Sequence, residues 1–300
     1  MVGVDFNPLI AFMWSLFVGT IFSTVGAAGG ILAGVGHISV LGIPHANTIK
    51  LMNQILIFTS TVVAVPAYLR QRRLIVVLSV LLGIGSIVGA MVGSTISYKF
   101  LPDLKNYKYM FGLFTILVAV KIFHETFSTK KKESIKAIEE KINTVGSSDL
   151  KTKSITIREV ELEFMGEAYS FNPAVPVLAG FTVAIISSTL GVGGGFLLVP
   201  FITSVMGIPM FLVPGTSALA ILITMIVSAG NYLKMGATVY PALLAIEVTG
   251  VVLGSIVGPY ISKALREKKL RLLLATLLTY IGVGYTLGDF IKRYLGIRII

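Results

Sequence analysis

Two glycine-rich stretches carry the residue types that could hold an oxyanion. Ser23–Gly30 (STVGAAGG) recurs as Ser188–Gly195 (STLGVGGG), 165 residues later. Gly26, Gly29 and Gly30 in the first stretch, and Gly191, Gly193, Gly194 and Gly195 in the second, leave backbone N–H groups without side-chain cover. Successive bare N–H groups beside a helix start form a concavity that attracts anions, and the helix dipole adds to it. Ser23, Thr24, Ser188 and Thr189 place hydroxyl donors next to each cluster. The plainer reading is that these glycines only permit tight turns and close helix contact. Two clusters in register, each leading into a short apolar segment, favour the anion reading.

Few other residues offer chemistry. Thr48, Lys50, Asn53 and Gln54 open one apolar segment, and Thr216 and Ser217 open another. Lys50 could neutralise an anion or snorkel to the headgroups. Asn53 and Gln54 suit interhelical hydrogen bonding. Glu247 is the one acidic residue deep in an apolar run, and its 165-shifted counterpart is Leu82. A carboxylate at that depth is a candidate proton carrier, or else one side of a buried pair with Lys50 or a hydroxyl. His37, His45 and His124 are scattered without metal-ligand spacing, so no metal site is expected. There is no cysteine, which removes disulfides and thiol chemistry. Neither a phosphate-cradling P-loop nor a nucleophile elbow is present, and no cofactor or catalytic residue is expected.

The elements that position these residues are membrane helices. Hydrophobic residues make up 55% of the 300 and charged residues 13%, about half of what a soluble surface needs. Mean hydropathy is +0.88. The net charge of +11 does not point to nucleic acid. Residues 128–170 hold eight basic and eight acidic residues, so the excess sits in short loops of the apolar portion, as in loops facing anionic lipid. Residues 1–8 lack the basic region of a secretory signal, and the first apolar segment is expected to stay as a membrane helix.

Each half reads as five apolar segments: about 8–25, 30–41, 45–69, 74–100 and 107–127, then 174–190, 195–206, 210–233, 238–261 and 270–290. The second segment of each half is too short to span and is bounded by glycines before and Gly-Ile-Pro after (Gly42–Pro44, Gly207–Pro209). Short, Gly/Pro-interrupted segments in matching positions of two halves point to a carrier's binding site. Gly85, Gly89 and Gly93 recur as Gly250, Gly254 and Gly258, a small-residue stripe for helix crossing. The predicted fold is therefore all-α: a polytopic membrane protein of two inverted-topology repeats, 1–127 and 171–300, joined by a hydrophilic connector at 128–170. Inversion puts the basic loops Arg70–Arg73 and Lys263–Arg271 on one, cytoplasmic, side with the connector, against the lesser weight of Lys292, Arg293 and Arg298. Within the connector, 130–145 has an amphipathic helical pattern and 154–164 two short alternating runs. Loop-length priors favour a solvated linker.

The motifs resemble a known family. Gly191–Pro200 (GVGGGFLLVP), then Gly207–Pro209 and Gly215–Ser217, are similar to the glycine-rich signature of the TauE/SafE sulfite-exporter family. Gly26–Gly30, Pro44–Thr48 and Lys50–Leu51 are similar to its N-terminal motif, while Ala27, Ala28 and Ile49 depart from it. The likeness covers both repeats. It pairs Thr216 with Thr48 rather than the 165-shifted Leu51, implying a three-residue indel. It implies a multi-pass inner-membrane protein that moves sulfite or small organosulfonates such as sulfoacetate, generally outward.

The reading is a pseudosymmetric carrier exporting a small anion by alternating access, driven by a proton or other ion gradient. Its partners are the anion, the bilayer and the coupling ion, with a homo-oligomer compatible. Rivals are an importer or permease for a carboxylate, sulfate or cation in the same architecture, an intramembrane enzyme, or a purely structural protein.

Overall fold

A computed structural model describes residues 6–25, 29–127, 150–264, 275–276 and 278–288. The first half comprises α1 (Pro8–Val25), a short α2 (Gly29–Val35), α3 (Ala46–Arg70), α4 (Val76–Phe100) and α5 (Leu104–Phe127). The second comprises α6 (Ala174–Leu190), a short α7 (Gly195–Pro200), α8 (Val213–Lys234), α9 (Pro241–Ala264) and a last helix over 278–288. Between the halves lie β1 (Lys151–Ile155), β2 (Val160–Phe164) and β3 (Glu167–Phe171). Among the described residues, five helices are long and apolar enough to cross a membrane. The chain is a polytopic, largely helical membrane protein.

The duplication reaches individual hydrogen bonds. α2 and α7 both relax into a wide π turn, at Gly36–Val40 and Phe201–Val205, again 165 residues apart. Leu41 N–H donates to the Gly36 carbonyl at 2.8 Å, and Met206 N–H donates to Phe201 at 3.2 Å. Next, Ile43 N–H donates to His37 (2.9 Å) and Ile208 N–H to Ile202 (3.1 Å). Gly42 (φ +62°) and Gly207 (φ +68°) supply the left-handed residue that closes each turn, a conformation costly for any residue with a Cβ. Pro44 and Pro209 then end each short segment. At eleven or twelve residues these segments reach less than 20 Å, roughly half the bilayer.

The third segments, 46–70 and 210–234, are both 25 residues long. Their last turns match at a shift of 164: Arg73 N–H donates to Tyr68, as Ala237 N–H does to Tyr232. The structure therefore contains no three-residue indel there. One residue is lost between Pro209 and the helix, which pairs Thr216 with Met52 and Asn53 with Ser217.

The glycine stripes show how the halves interlock. A Cβ at Gly85, Gly89 or Gly93 of α4 would overlap the carbonyl oxygen of Val177, Phe181 or Ile185 on α6. On the other side, Gly250 and Gly254 of α9 meet the Phe12 and Leu16 carbonyls of α1. Each first helix thus packs against the fourth helix of the other half, backbone to backbone, as small residues permit. Arg73, just past the end of α3, stacks its guanidinium 4.5 Å from the Phe211 ring at the entry to α8. Tyr98, near the end of α4, meets Tyr232, near the end of α8, at 6.3 Å, while Asn47 at the start of α3 donates to the Tyr98 carbonyl (3.4 Å). α3 and α8 consequently run in opposite directions.

Residues 151–171 are not a solvated linker. They form an antiparallel sheet in the order β1-β2-β3. The runs at 154–164 become strands, and β3 is an addition that the sequence pattern did not announce. Its two-residue turn uses Met165 (φ +54°) and Gly166 (φ +77°), which bends with the strand twist but lacks the usual Asn-Gly signal. Val160, Leu162 and Phe164 on the inner face are buried, and Phe164 stacks on Phe211 at 6.3 Å. Burying three such side chains favours docking by roughly 5 kcal/mol, enough to hold a three-stranded sheet. The amphipathic pattern at 130–145 lies outside the described residues.

Candidate functional site

The second glycine cluster is a left-handed hairpin. Gly191 (φ +70°) ends α6, Gly193 (φ +79°) and Gly194 (φ +70°) turn the chain, and Gly195 starts α7. Val192 N–H is spent on the Ser187 carbonyl at 3.0 Å. The N–H groups of Gly193, Gly194, Gly195 and Phe196 have no hydrogen-bond partner among the described residues. A Cβ on Gly30 would overlap the Val192 carbonyl, so the first cluster sits directly on the second. Gly26 lies outside the described residues, and Gly29 packs on Phe22.

Both clusters cross one face of α3. Gly191 lies against the Lys50 backbone, and Gly193 and Gly30 lie against the Ile57 side chain. Gln54 is four residues after Lys50 and three before Ile57, on that same face. It is fully buried, and neither its amide nitrogen nor its oxygen has a partner. Ser188, three residues before the hairpin, is also fully buried with an unpartnered hydroxyl. Buried polar groups are rarely left unpaired without cause, because each costs about 1–3 kcal/mol. Beside Gly193 and Gly194 lies a cavity of about 10 Å³, room for about one water, whose lining includes Ser86, Ser187 and Thr224.

Most of the other candidate hydroxyls are engaged. Ser23 donates to Gly19 (2.7 Å), Thr24 to Thr20 (2.6 Å), and Thr189 to Ile185 (2.7 Å) and Gly93 (3.1 Å). Thr216 donates to Leu212 (2.6 Å) and accepts from the Ile75 N–H (3.0 Å), and Ser217 donates to Pro214 (3.2 Å). Thr48 is buried in the first turn of α3. Lys50 is fully buried, yet its ammonium caps the C-terminus of α4. It donates to the carbonyls of Leu101 (2.6 Å) and Ser97 (3.4 Å) and to Asn47 Oδ1 (3.3 Å), 4.8 Å from the Tyr107 ring. A cation there meets the negative end of the helix dipole.

Glu247 pairs with neither Lys50 nor a hydroxyl. His37 Nε2 lies 2.9 Å from its Oε1 and 3.0 Å from its Oε2, and His37 Nδ1 lies 2.5 Å from Asn53 Oδ1. All three side chains are at most 2% exposed. Local spacing does not mark His37, because its partner is 210 residues away. The equivalents at the repeat shift, Ile202 and Leu82, are buried and apolar. That break in the repeat is the one signal in the sequence that marks His37.

Paired discontinuous segments meeting inside a bundle of exchanged helices define a membrane transporter. The sulfite exporter TauE/SafE family matches residues 11–285, and the chain belongs to that family. It is 23% identical over 281 residues to the probable membrane transporter protein YunE of Bacillus subtilis strain 168, covering 91% of this chain and 95% of that protein. No solved structure matches the chain.

Proposed function

We propose that the protein exports a small oxyanion across the cell membrane, sulfite or an organosulfonate such as sulfoacetate, by alternating access of two inverted repeats. The observation that carries this reading is the crossing of the two glycine clusters on α3. Around it, Gln54 on that face of α3, Ser188 in the last turn of α6 and the N–H groups of Gly193 to Phe196 in the hairpin are without partners among the described residues. The set is dominated by donors, which suits the oxygens of an anion; a cation would need acceptors. The antiparallel course of α3 and α8 supports the inverted arrangement and a connector on the cytoplasmic side with Arg73. The matched family supports sulfite or a sulfonate as cargo and the outward direction. Rocking one half against the other would open the crossing point to each side in turn, with energy from an ion gradient or the membrane potential.

The test is flux of labelled sulfite and sulfoacetate from loaded proteoliposomes, with sulfate and acetate as competitors. The wild type is expected to move at least one of the sulfur anions. Gly194→Ala forces a Cβ onto a left-handed residue that borders the cavity and is expected to lower the flux at least tenfold. Acetate or sulfate carried with neither sulfur anion would move the assignment to the rival permease reading.

A further inference from the structure

We infer that His37, Asn53 and Glu247 form the proton-binding site through which this transporter is coupled to the proton gradient. The inference rests on the anion-export reading for its purpose but not for its chemistry. Both ring nitrogens of His37 face oxygen: Nε2 faces the two Glu247 oxygens at 2.9 and 3.0 Å, and Nδ1 faces Asn53 Oδ1 at 2.5 Å. A ring that donates from both nitrogens is an imidazolium, and with the carboxylate it makes a neutral pair. Removing the proton leaves one net negative charge in a buried site, which is costly away from water. Rotating the Asn53 amide by half a turn would then present its nitrogen to the deprotonated Nδ1, so both states are hydrogen-bonded with little movement of the backbone. The Asn53 nitrogen has no partner in the protonated arrangement and packs near Gly34, which leaves it available for that rotation.

The surroundings isolate the pair. Glu247 is the only acidic residue among the described buried residues. From the last helix, Tyr285 bonds Ser39, two residues from His37, at 2.5 Å, with Lys108 of α5 5.9 Å from its ring. α5 also presents Tyr107, which lies under the Lys50 ammonium, and the apolar Phe111 against Gly34. From α1, Trp14 packs on Gly36 and donates to the Leu32 carbonyl. None of these groups is a second carboxylate, so a proton entering the site is shared by His37 and Glu247 alone.

Position supplies the coupling. Gly30 and His37 lie seven residues apart on one short helical segment, about 10 Å. Gly30 rests on the hairpin of the second half; His37 holds Glu247, also of the second half. A swing of this segment that opens the crossing point also separates His37 from Glu247 or admits water to them. The proton taken from the outer water is released to the inner water as the anion moves out. The site spans both halves and occurs once, since the apolar Ile202 and Leu82 fill the positions that the repeat would make its counterpart.

That apolar pair also provides a variant. His37→Ile with Glu247→Leu copies it, and Glu247→Gln is the conservative companion if the double variant does not fold. In sulfite-loaded proteoliposomes with a trapped pH dye, wild-type anion flux is expected to move protons with it. The ratio of proton movement to anion flux should fall at least tenfold in either variant. Independently of transport, nitrogen NMR of the histidines in the purified protein should show an imidazolium signal, absent from His37→Ile, that is lost in one step as pH rises. Sulfite flux without proton movement in the wild type would overturn the proton site and leave the export reading intact. A titrating His37 with no flux of either sulfur anion would remove the cargo assignment and leave the proton site standing. A His37 ring of fixed protonation at every pH where the protein stays folded would make the pair structural.

Discussion

Gln54 separates two roles that a buried amide can play. If it only glued helices, its amide would have a partner, yet both of its polar atoms are unpaired inside the protein. Replacing an unpaired amide by an apolar side chain of similar size removes a desolvation penalty. Gln54→Leu is therefore expected to hold or raise the melting temperature while anion flux falls at least tenfold. A fall in both together would point to a structural residue. Lys50 shows the opposite case. Its charge was legible in the sequence as a potential anion contact, but its ammonium is engaged by the carbonyls that end α4. Which oxygen a lysine reaches depends on a helix end 51 residues away, and local pattern carries no information about that.

At the level of elements, the strongest constraint is the glycine stripe. On α4 it brings the backbone against α6, and a methyl group at Gly85 would overlap the Val177 carbonyl. Gly85→Ala is expected to cost about 2 kcal/mol or more, because backbone on the far side yields poorly. Gly230 on α8 has open space where its Cβ would go. Gly230→Ala should leave the melting temperature unchanged or raise it, since alanine favours helix. A thermal-shift comparison of the two variants in detergent checks the pair. Spacing four was enough to identify a packing stripe. The partner helix was not legible, because a stripe records how closely something approaches and not what approaches. The sheet at 151–171 is a similar case: alternation revealed β1 and β2, while the Met165-Gly166 turn hid β3.

At the level of the whole molecule, the arrangement has a side-specific consequence. Arg73 at the entry to α4 and Phe164 of β2 both pack on Phe211, so the connector sheet and the basic turn at Arg70–Arg73 belong to one side. Asp103 follows α4 and should face the other side. The absence of cysteine makes this simple to examine, because each introduced cysteine is the only thiol. Arg72→Cys and Ser154→Cys should react with a membrane-impermeant maleimide only after the cells are opened, and Asp103→Cys should react in intact cells. Labelling of Arg72→Cys and Asp103→Cys from the same side would contradict the inverted arrangement.

The class of protein, and the register that joins the two glycine clusters, could be read from the sequence alone. Each depends on composition or on a pattern repeated along the chain: the share of charged residues, runs long enough for a bilayer, and one constant shift joining the glycine clusters. α1 and α6 begin and end where the apolar runs do, at Pro8–Val25 and Ala174–Leu190. Only the tertiary structure decided which polar groups meet. His37 and Glu247 are 210 residues apart and belong to different halves. They come together because α1, which leads into the short segment carrying His37, packs closely against α9, which carries Glu247. Gln54 stands out because it is fully buried on the face of α3 that the glycine hairpins cross, with both of its polar atoms unpaired. Being left without a partner is a property of three-dimensional packing, and no single residue type signals it in advance.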